Sequence, residues 1–287
     1  MHAYRPSFSP CRALVAGLTG LMLLLLQSGA VAATQAPPTI ASGTLTIGSD
    51  LTYPPYAFMD GDTPAGLDPD FMASLASHLQ LKPRFVDTRF ANLILGINAK
   101  RIDIIASALY VTPERAKQID FVPYFKTGGS LLALTGSGFK PATPEALCGK
   151  RVSSIKGASW IPKLAKVSQD TCTSKGLAEI DVREFETSPQ ASQALLAHAV
   201  DAQFEDSAVA KMTVDKMSGR LAITSTTPLF PVVVGLGIAK SDPALLAAVK
   251  GALDTMKQDG EYATLLKRYN VAEPTGAEIA QALGAAN

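Results

Sequence analysis

Residues 101–125 read Arg-Ile-Asp-Ile-Ile-Ala-Ser-Ala-Leu-Tyr-Val-Thr-Pro-Glu-Arg-Ala-Lys-Gln-Ile-Asp-Phe-Val-Pro-Tyr-Phe. Ile102 to Ala106 is a short apolar run rich in β-branched residues, the pattern of a buried strand. Thr112-Pro113-Glu114 is a helix start: a capping hydroxyl, a proline at the first helical position, then an acid in the electropositive first turn. Arg115 falls in that same turn, where the helix dipole mildly disfavours a cation. Two readings follow from these residues alone. Arg115 is either a surface cation paired with Asp120 or another nearby carboxylate, or one wall of an anion site completed by free backbone N–H groups.

Toward the N-terminus, the pattern predicts a strand over Leu45–Ser49, a helix opening at Gly66-Leu-Asp-Pro-Asp-Phe71, a strand over Lys82–Asp87 and a helix over Phe90–Ala99. In the first helix Asp68 is the expected N-cap and Pro69 sits in the first turn, while Phe71, Leu75 and Leu79 form an apolar stripe. The strand at 102–106 then closes a β-α-β unit, so part of the sheet is parallel. Asp50 to Phe58 contains two prolines and is predicted to be an irregular loop. It lies at the C-terminal end of the first strand, where open α/β sheets bind ligands.

Toward the C-terminus, Gly128–Leu134 reads as a strand leaving this first lobe, and a second β/α series follows. Strands are expected at Arg151–Ile155, Glu179–Phe185 and Ala199–Phe204, with a turn at Gly157-Ala158-Ser159 into a helix and another helix over 189–198. Glu205 and Asp206 end the last of these strands. Asp206 is a natural cap for a helix from Ser207, and Glu205 is expected to point away from any cleft. Pro231–Ala239 is an apolar strand long enough to return to the first lobe. A helix with a Ser241/Asp242 cap and Pro243, and a second one over Glu261–Tyr269, complete the chain before an Ala/Gly-rich tail. The order is half a domain, a complete inserted domain, and a return. Crossovers near 130 and 230 make a hinge of the kind that lets two lobes close on a ligand.

With 287 residues, 47% of them hydrophobic and 18% charged, the chain can build substantial cores. Arg5 and Arg12, an apolar run from Ala13 to Leu26 and Ala30-Val31-Ala32 read as a secretory signal with an A-x-A exit. The apolar run is shorter than the roughly 18–20 residues a membrane span needs. Residues 1–32 hold two of the 26 basic residues and none of the 25 acids, so the remainder is within one charge of neutrality. That balance does not favour nucleic acid or an anionic membrane surface. Cys11 leaves with the signal, and Cys148 and Cys172 remain in an exported chain, where a single disulfide is the simplest expectation. Three histidines are scattered. The sequence has no H-E-x-x-H, C-x-x-C, G-x-S-x-G or P-loop, so neither metal nor triad chemistry nor a cofactor is indicated.

Asp103, Thr112, Glu114, Arg115 and the Asp120-Phe121…Pro123-Tyr124 ending resemble the signature segment of the periplasmic solute-binding proteins, family 3, for polar amino acids. These are the ligand receptors of ABC importers, including lysine/arginine/ornithine-, histidine- and glutamine-binding proteins. The resemblance runs from about residue 44 to about 270. It implies a two-lobed α/β periplasmic-binding-protein fold of type II, with lobe one formed by 44–131 plus 232–270 and lobe two by 132–231. Residues 1–32 are then the signal peptide, 33–43 a polar leader and 271–287 a C-terminal tail. It further implies a periplasmic monomer that binds an amino-acid-type ligand and delivers it to an inner-membrane ABC permease with its cytoplasmic ATPase.

The same resemblance places residues at the ligand. Arg115 would grip the α-carboxylate, supported by Thr112 and by the turn at Gly157 and Ser159, and Asp206 would receive the α-ammonium. Tyr53 and Phe90 would sandwich the ligand side chain, although Phe90 reads equally as a core phenylalanine. Asp50 matches an acid that meets the distal cation of basic ligands. Ser107, Ala108 and Tyr110 precede Thr112 in the same ligand-facing segment. Two positions depart from the pattern: Tyr110 stands where Ser or Thr is usual, and Trp160 stands beside Ser159 where polar residues are common. Both bear on specificity. Secreted enzymes such as cyclohexadienyl dehydratase use the same scaffold, and a receptor coupled to a sensor kinase is a further alternative. A dehydratase would need a cleft acid kept protonated by burial, for which Glu205 is the nearest candidate.

Overall fold

The structure, a computed structural model, describes residues 36–284; the signal segment with its exit at Ala32, and residues 285–287 of the tail, lie outside the described residues. In chain order the strands and helices are β1 (Thr44–Ser49), β2 (Thr52–Tyr53), β3 (Ala57–Asp60), β4 (Thr63–Ala65), α1 (Leu67–His78), β5 (Lys82–Asp87), α2 (Leu93–Asn98), β6 (Ile104–Ile105) and α3 (Pro113–Ala116). The 16-residue β7 (Ile119–Leu134) leads to β8 (Arg151–Ile155), α4 (Ile161–Val167), β9 (Asp181–Phe185), α5 (Ser188–Leu196), β10 (Ala202–Asp206), α6 (Ser207–Lys216) and β11 (Leu221–Ile223). The return strand β12 (Leu229–Ala239) is followed by α7 (Pro243–Gln258), α8 (Glu261–Arg268) and α9 (Gly276–Ala282).

The main sheet has the order β5-β1-β6-β12-β7-β10-β8-β9, with β11 on the edge of β7. β5, β1 and β6 are mutually parallel, as are β10, β8 and β9, whereas β12 and β7 run antiparallel to each other and to their other neighbours. The fold is thus two parallel β/α halves joined by two long antiparallel strands. The first half of β7 pairs with β12, and its second half pairs with β10 and β11. Register shifts between Leu229 and Val232 and between Val234 and Gly235 break the β12 ladder where the chain passes between the halves. At this crossover a Cβ on Gly129 would stand 2.2 Å from the Phe204 ring. No larger residue fits there.

Core formation follows the apolar patterning. Phe71, Leu75 and Leu79 are all buried, and Phe71 packs on Tyr124 at 4.8 Å and on Tyr262 at 6.3 Å between ring centroids. α7 buries Leu245, Val249, Leu253 and Met256 on one face. Cys148 and Cys172 form a disulfide spanning 24 residues in sequence.

Several local expectations are corrected. α1 begins at Leu67 after Gly66 with no side-chain cap, and Asp68 is buried with its carboxylate used elsewhere. Residues 50–58 are not irregular throughout, because Thr52–Tyr53 and Ala57–Asp60 pair in a small three-stranded sheet with β4. Both prolines fall in the turn between those strands, where no ladder donor is needed. β7 begins nine residues before Gly128, since β12 offers it a partner strand from Ile119 onward. The tail contains α9, whose start is fixed by a capping box between Thr275 and Glu278. Part of the leader is also held, by an Ile40 N–H bond to Asp103 Oδ1 at 2.8 Å.

Candidate functional site

The site is built on the segment between β6 and α3. Ala108 holds a left-handed φ of 44° there, a conformation that costs a non-glycine residue energy unless its surroundings impose it. They do. Asp68 Oδ2 accepts the Ala108 N–H at 2.8 Å, and Asp68 Oδ1 accepts the Tyr124 hydroxyl. Burial pushes the Asp68 carboxyl up to about 7, so this acid anchors the turn at a desolvation cost. Ser107 Oγ accepts the Asp50 N–H at 3.0 Å and ties the turn to the end of β1.

Beyond the turn, Thr112 caps α3 by accepting the Arg115 N–H at 3.2 Å. The Arg115 side chain is therefore directed inward from the first turn, and it is buried. Its Nη1 donates to the Tyr110 carbonyl at 2.7 Å and its Nη2 to the Gly157 carbonyl at 3.0 Å, while Phe90 lies under the guanidinium at 5.3 Å. Asp120, the surface partner considered for it, is paired with Lys240 at 2.9 Å. Among the described residues Arg115 has no carboxylate partner. Burial lowers its pKa to about 10, so it stays charged at neutral pH. The result is a buried cation with two neutral acceptors, in contact with both halves of the molecule.

Asp206 meets Tyr110 from the other half. It caps α6 as the sequence indicates, with Oδ1 accepting the Ala208 N–H at 2.8 Å. Oδ2 accepts the Tyr110 hydroxyl at 2.5 Å and the Thr127 hydroxyl at 2.9 Å. Burial raises its pKa, while the Tyr110, Thr127 and Tyr56 hydroxyls and the Ala208 N–H oppose the rise. Glu205 does not point away from the interface. Its Oε1 accepts the Tyr53 hydroxyl at 2.6 Å and the Asp206 N–H at 2.8 Å, and Oε2 accepts from Ser188 and Gln203. Burial pushes Glu205 up to about 7 despite these donors. Tyr53 and Tyr110 from one half thus meet Glu205 and Asp206 from the other.

Tyr53, Phe90, Ala108, Tyr110, Arg115, Ser159 and Trp160 line one small chamber, with a volume of about 10 Å³. That is room for about one water. Tyr110 and Trp160 fill much of it, meeting edge to face at 5.7 Å, with the Trp160 Nε1–H donating to Ser154 Oγ at 2.8 Å. Asp50 lies outside this lining. Its buried carboxylate takes Arg89 Nη1 at 3.0 Å, the Thr52 hydroxyl at 2.6 Å and the Phe90 N–H at 2.9 Å. Thr112, Gly157 and Ser159 border a second, larger cleft of about 950 Å³ that also reaches Arg115 and Thr127. Residues that sequence reasoning passed over are Asp68, which sets the turn, Arg89, which neutralises Asp50, and Thr127, which holds Asp206. Each acts across more than 30 residues of chain, and no local pattern marks such a contact.

Comparison with known proteins adds the lineage. Residues 45–272 match the bacterial extracellular solute-binding proteins, family 3. The L-cystine-binding protein TcyJ of Escherichia coli (strain K12) is 28% identical over 235 residues, covering 81% of this chain and 85% of the relative. The lysine/arginine/ornithine-binding periplasmic protein of Escherichia coli (strain K12) is 31% identical, covering 79% and 87%. Among solved structures, an ancestral arginine-binding protein bound to arginine superposes with a TM-score of 0.72 at 29% identity, covering 79% of this chain and 98% of that one. On its sequence and its two-lobed fold alike, the chain belongs to the bacterial extracellular solute-binding proteins, family 3.

Proposed function

We propose that this protein is the periplasmic substrate-binding component of an ABC importer, taking an L-amino acid or a close derivative between its two lobes. The observation that carries the reading is the pair Arg115 and Asp206. A buried cation, without a carboxylate partner among the described residues, and a buried carboxylate from the opposite lobe both bond to Tyr110, through its carbonyl and its hydroxyl, and opposite charges so placed suit a zwitterion. Arg115 takes the α-carboxylate, for which its planar fork is adapted. Asp206 takes the α-ammonium in place of the Tyr110 hydroxyl. Thr112, Ser107 and Ala108 hold the lobe-one side, Gly157 and Ser159 contribute from lobe two, and Tyr53, Phe90, Tyr110 and Trp160 shape the chamber. Lobe one is taken as 44–131 plus 232–270 and lobe two as 132–231. Relatives that bind cystine, and lysine, arginine and ornithine, support an amino-acid-type ligand. The A-x-A exit supports export with cleavage after Ala32, family membership supports delivery to a membrane permease, and the receptor is proposed to act as a monomer.

Two or three charge-assisted bonds at roughly 1.5–3 kcal/mol each, with aromatic contact, reach about −8 kcal/mol, or roughly micromolar affinity. Ligand contacts both lobes only when they are closed, so its differential affinity drives closure. Calorimetric titration of wild type and Arg115→Ala with an amino acid and its methyl ester tests this. Arg115→Ala should weaken binding by at least about 2–3 kcal/mol, because it leaves a carboxylate unpaired in a partly desolvated site. Equal affinity for acid and ester, or an Arg115→Ala variant that binds like wild type, overturns the reading.

One observation favours a second reading, a secreted dehydratase. Glu205 is a buried acid held near neutrality against Tyr53. Release of an aromatic product from prephenate or arogenate, lost in Glu205→Gln, would support it.

A further inference from the structure

The small chamber of about 10 Å³ lies beside a much larger cleft of about 950 Å³, and both reach Arg115. The larger cleft also touches Thr127, whose hydroxyl is bonded to Asp206. Arg115 therefore lines this cleft directly, whereas Asp206 is fully buried behind Thr127. Its size falls within the roughly 300–1,000 Å³ of small-molecule sites, whereas an amino-acid side chain cannot enter the small chamber unless Tyr110 or Trp160 moves. The walls are largely apolar: Val111, Val232 and Val233 from one side, Ile161 and Pro162 from α4, and Ala282 from α9.

The charges around this cleft are uneven in their pairing. Lys126 is paired with Glu278 at 2.8 Å, and Lys166 with Asp170 at 2.5 Å. Glu184 accepts the Gly157 N–H at 3.1 Å, and the Thr112 hydroxyl supports Glu114. Lys163 is different. It is half-buried in the wall, lies over the Phe230 ring at 5.2 Å, and among the described residues has no carboxylate within ion-pair distance. Its desolvation lowers its pKa and the charge of Glu114, on the same cleft, only partly opposes this, so an anion in the cleft would offset the remaining cost. Outside the small chamber, Asp50 is already neutralised by Arg89 and offers nothing to a distal cation.

We infer that the ligand's side chain lies in this larger cleft and ends in a carboxylate at Lys163, so that the ligand class is a long-chain acidic amino acid rather than a basic one. The inference rests on the amino-acid reading above and specifies its side chain. Full-length mature protein is titrated calorimetrically with L-2-aminopimelate, L-2-aminoadipate, L-norleucine and L-lysine, for wild type, Lys163→Met, Lys163→Gln and Arg115→Ala. At least one of the acids should bind about tenfold or more tighter than L-norleucine, one charge-assisted bond's worth. Both Lys163 variants should bring that ratio close to one while leaving L-norleucine affinity unchanged, and melting curves should overlay with wild type. If L-norleucine or L-lysine binds as well as the acids, or the ratio survives both Lys163 variants, the inference is overturned. The amino-acid reading then stands, provided binding is lost in Arg115→Ala. Failure of wild type to bind any of the four overturns the inference, and with it support for the amino-acid reading.

Discussion

Replacing Tyr110 by phenylalanine should tighten amino-acid binding while destabilising the ligand-free protein. The Tyr110 hydroxyl donates to Asp206 Oδ2 at 2.5 Å, the position proposed above for the ligand's ammonium. Asp206 keeps the Thr127 hydroxyl at 2.9 Å and the Ala208 N–H at 2.8 Å, so the variant leaves the carboxylate short of one donor and not bare. A hydrogen bond to a charged group nets roughly 1.5–3 kcal/mol. The ligand-free closed form loses that amount, whereas the liganded form, with an ammonium already on Asp206, loses almost none of it. The difference appears as affinity, a gain of about 10- to 100-fold. The ring and its edge contact with Trp160 at 5.7 Å are kept, which separates this effect from a change in chamber shape. Calorimetry with an L-amino acid and its desamino analogue reads it out, because only the ammonium-bearing ligand should gain. Wild-type affinity in Tyr110→Phe, or an equal gain for the desamino analogue, would refute the assignment of Asp206 as the ammonium site.

Glu205 should make stability fall as pH rises. Its folded pKa of about 7 lies above its ordinary value of 4.5, so between those values the native state holds more protons than the unfolded state. The contribution is complete below about pH 4.5 and lost by about pH 7, on the order of 3 kcal/mol across the window. Chemical denaturation from pH 4 to 8 should therefore show a shallower decline in Glu205→Gln than in wild type, and parallel curves would count against it. Opening the Cys148–Cys172 bond, which spans 24 residues, should cost roughly 3–4 kcal/mol in the chain-entropy treatment. A Cys148→Ser/Cys172→Ser variant that melts with wild type would contradict this.

Much of the fold was legible locally, because strands and helix starts depend on neighbours within a few residues. β8 ends where the apolar pattern ends, Thr112 and Asp206 cap the helices their side chains suggest, and α7 begins at Pro243. Errors arose where a distant partner outbid the local preference. Asp68 resembles a cap from its position before Pro69, yet its carboxylate goes to the Ala108 N–H, 40 residues on, and to the Tyr124 hydroxyl. The start of β7 moved forward because β12, far along the chain, supplies the pairing. Asp50 pairs with Arg89, a residue that sequence reading gave no role.

By itself the sequence determined the two-lobed α/β order, the two strand crossovers between the halves, and the presence of an arginine at a helix start and an aspartate at a strand end. Local hydrogen-bonding rules and hydrophobic periodicity are sufficient for those. Only the tertiary structure decided how these groups stand to one another: that Tyr110 occupies Asp206, that Glu205 turns toward Tyr53, and that the large cleft opens beside α4 and α9 with Lys163 in its wall. The physical reason is that burial and charge pairing are set by which segments meet between the two halves. The energy of each buried charge depends on partners up to 152 residues away, as for Tyr53 and Glu205, and not on its neighbours in the chain.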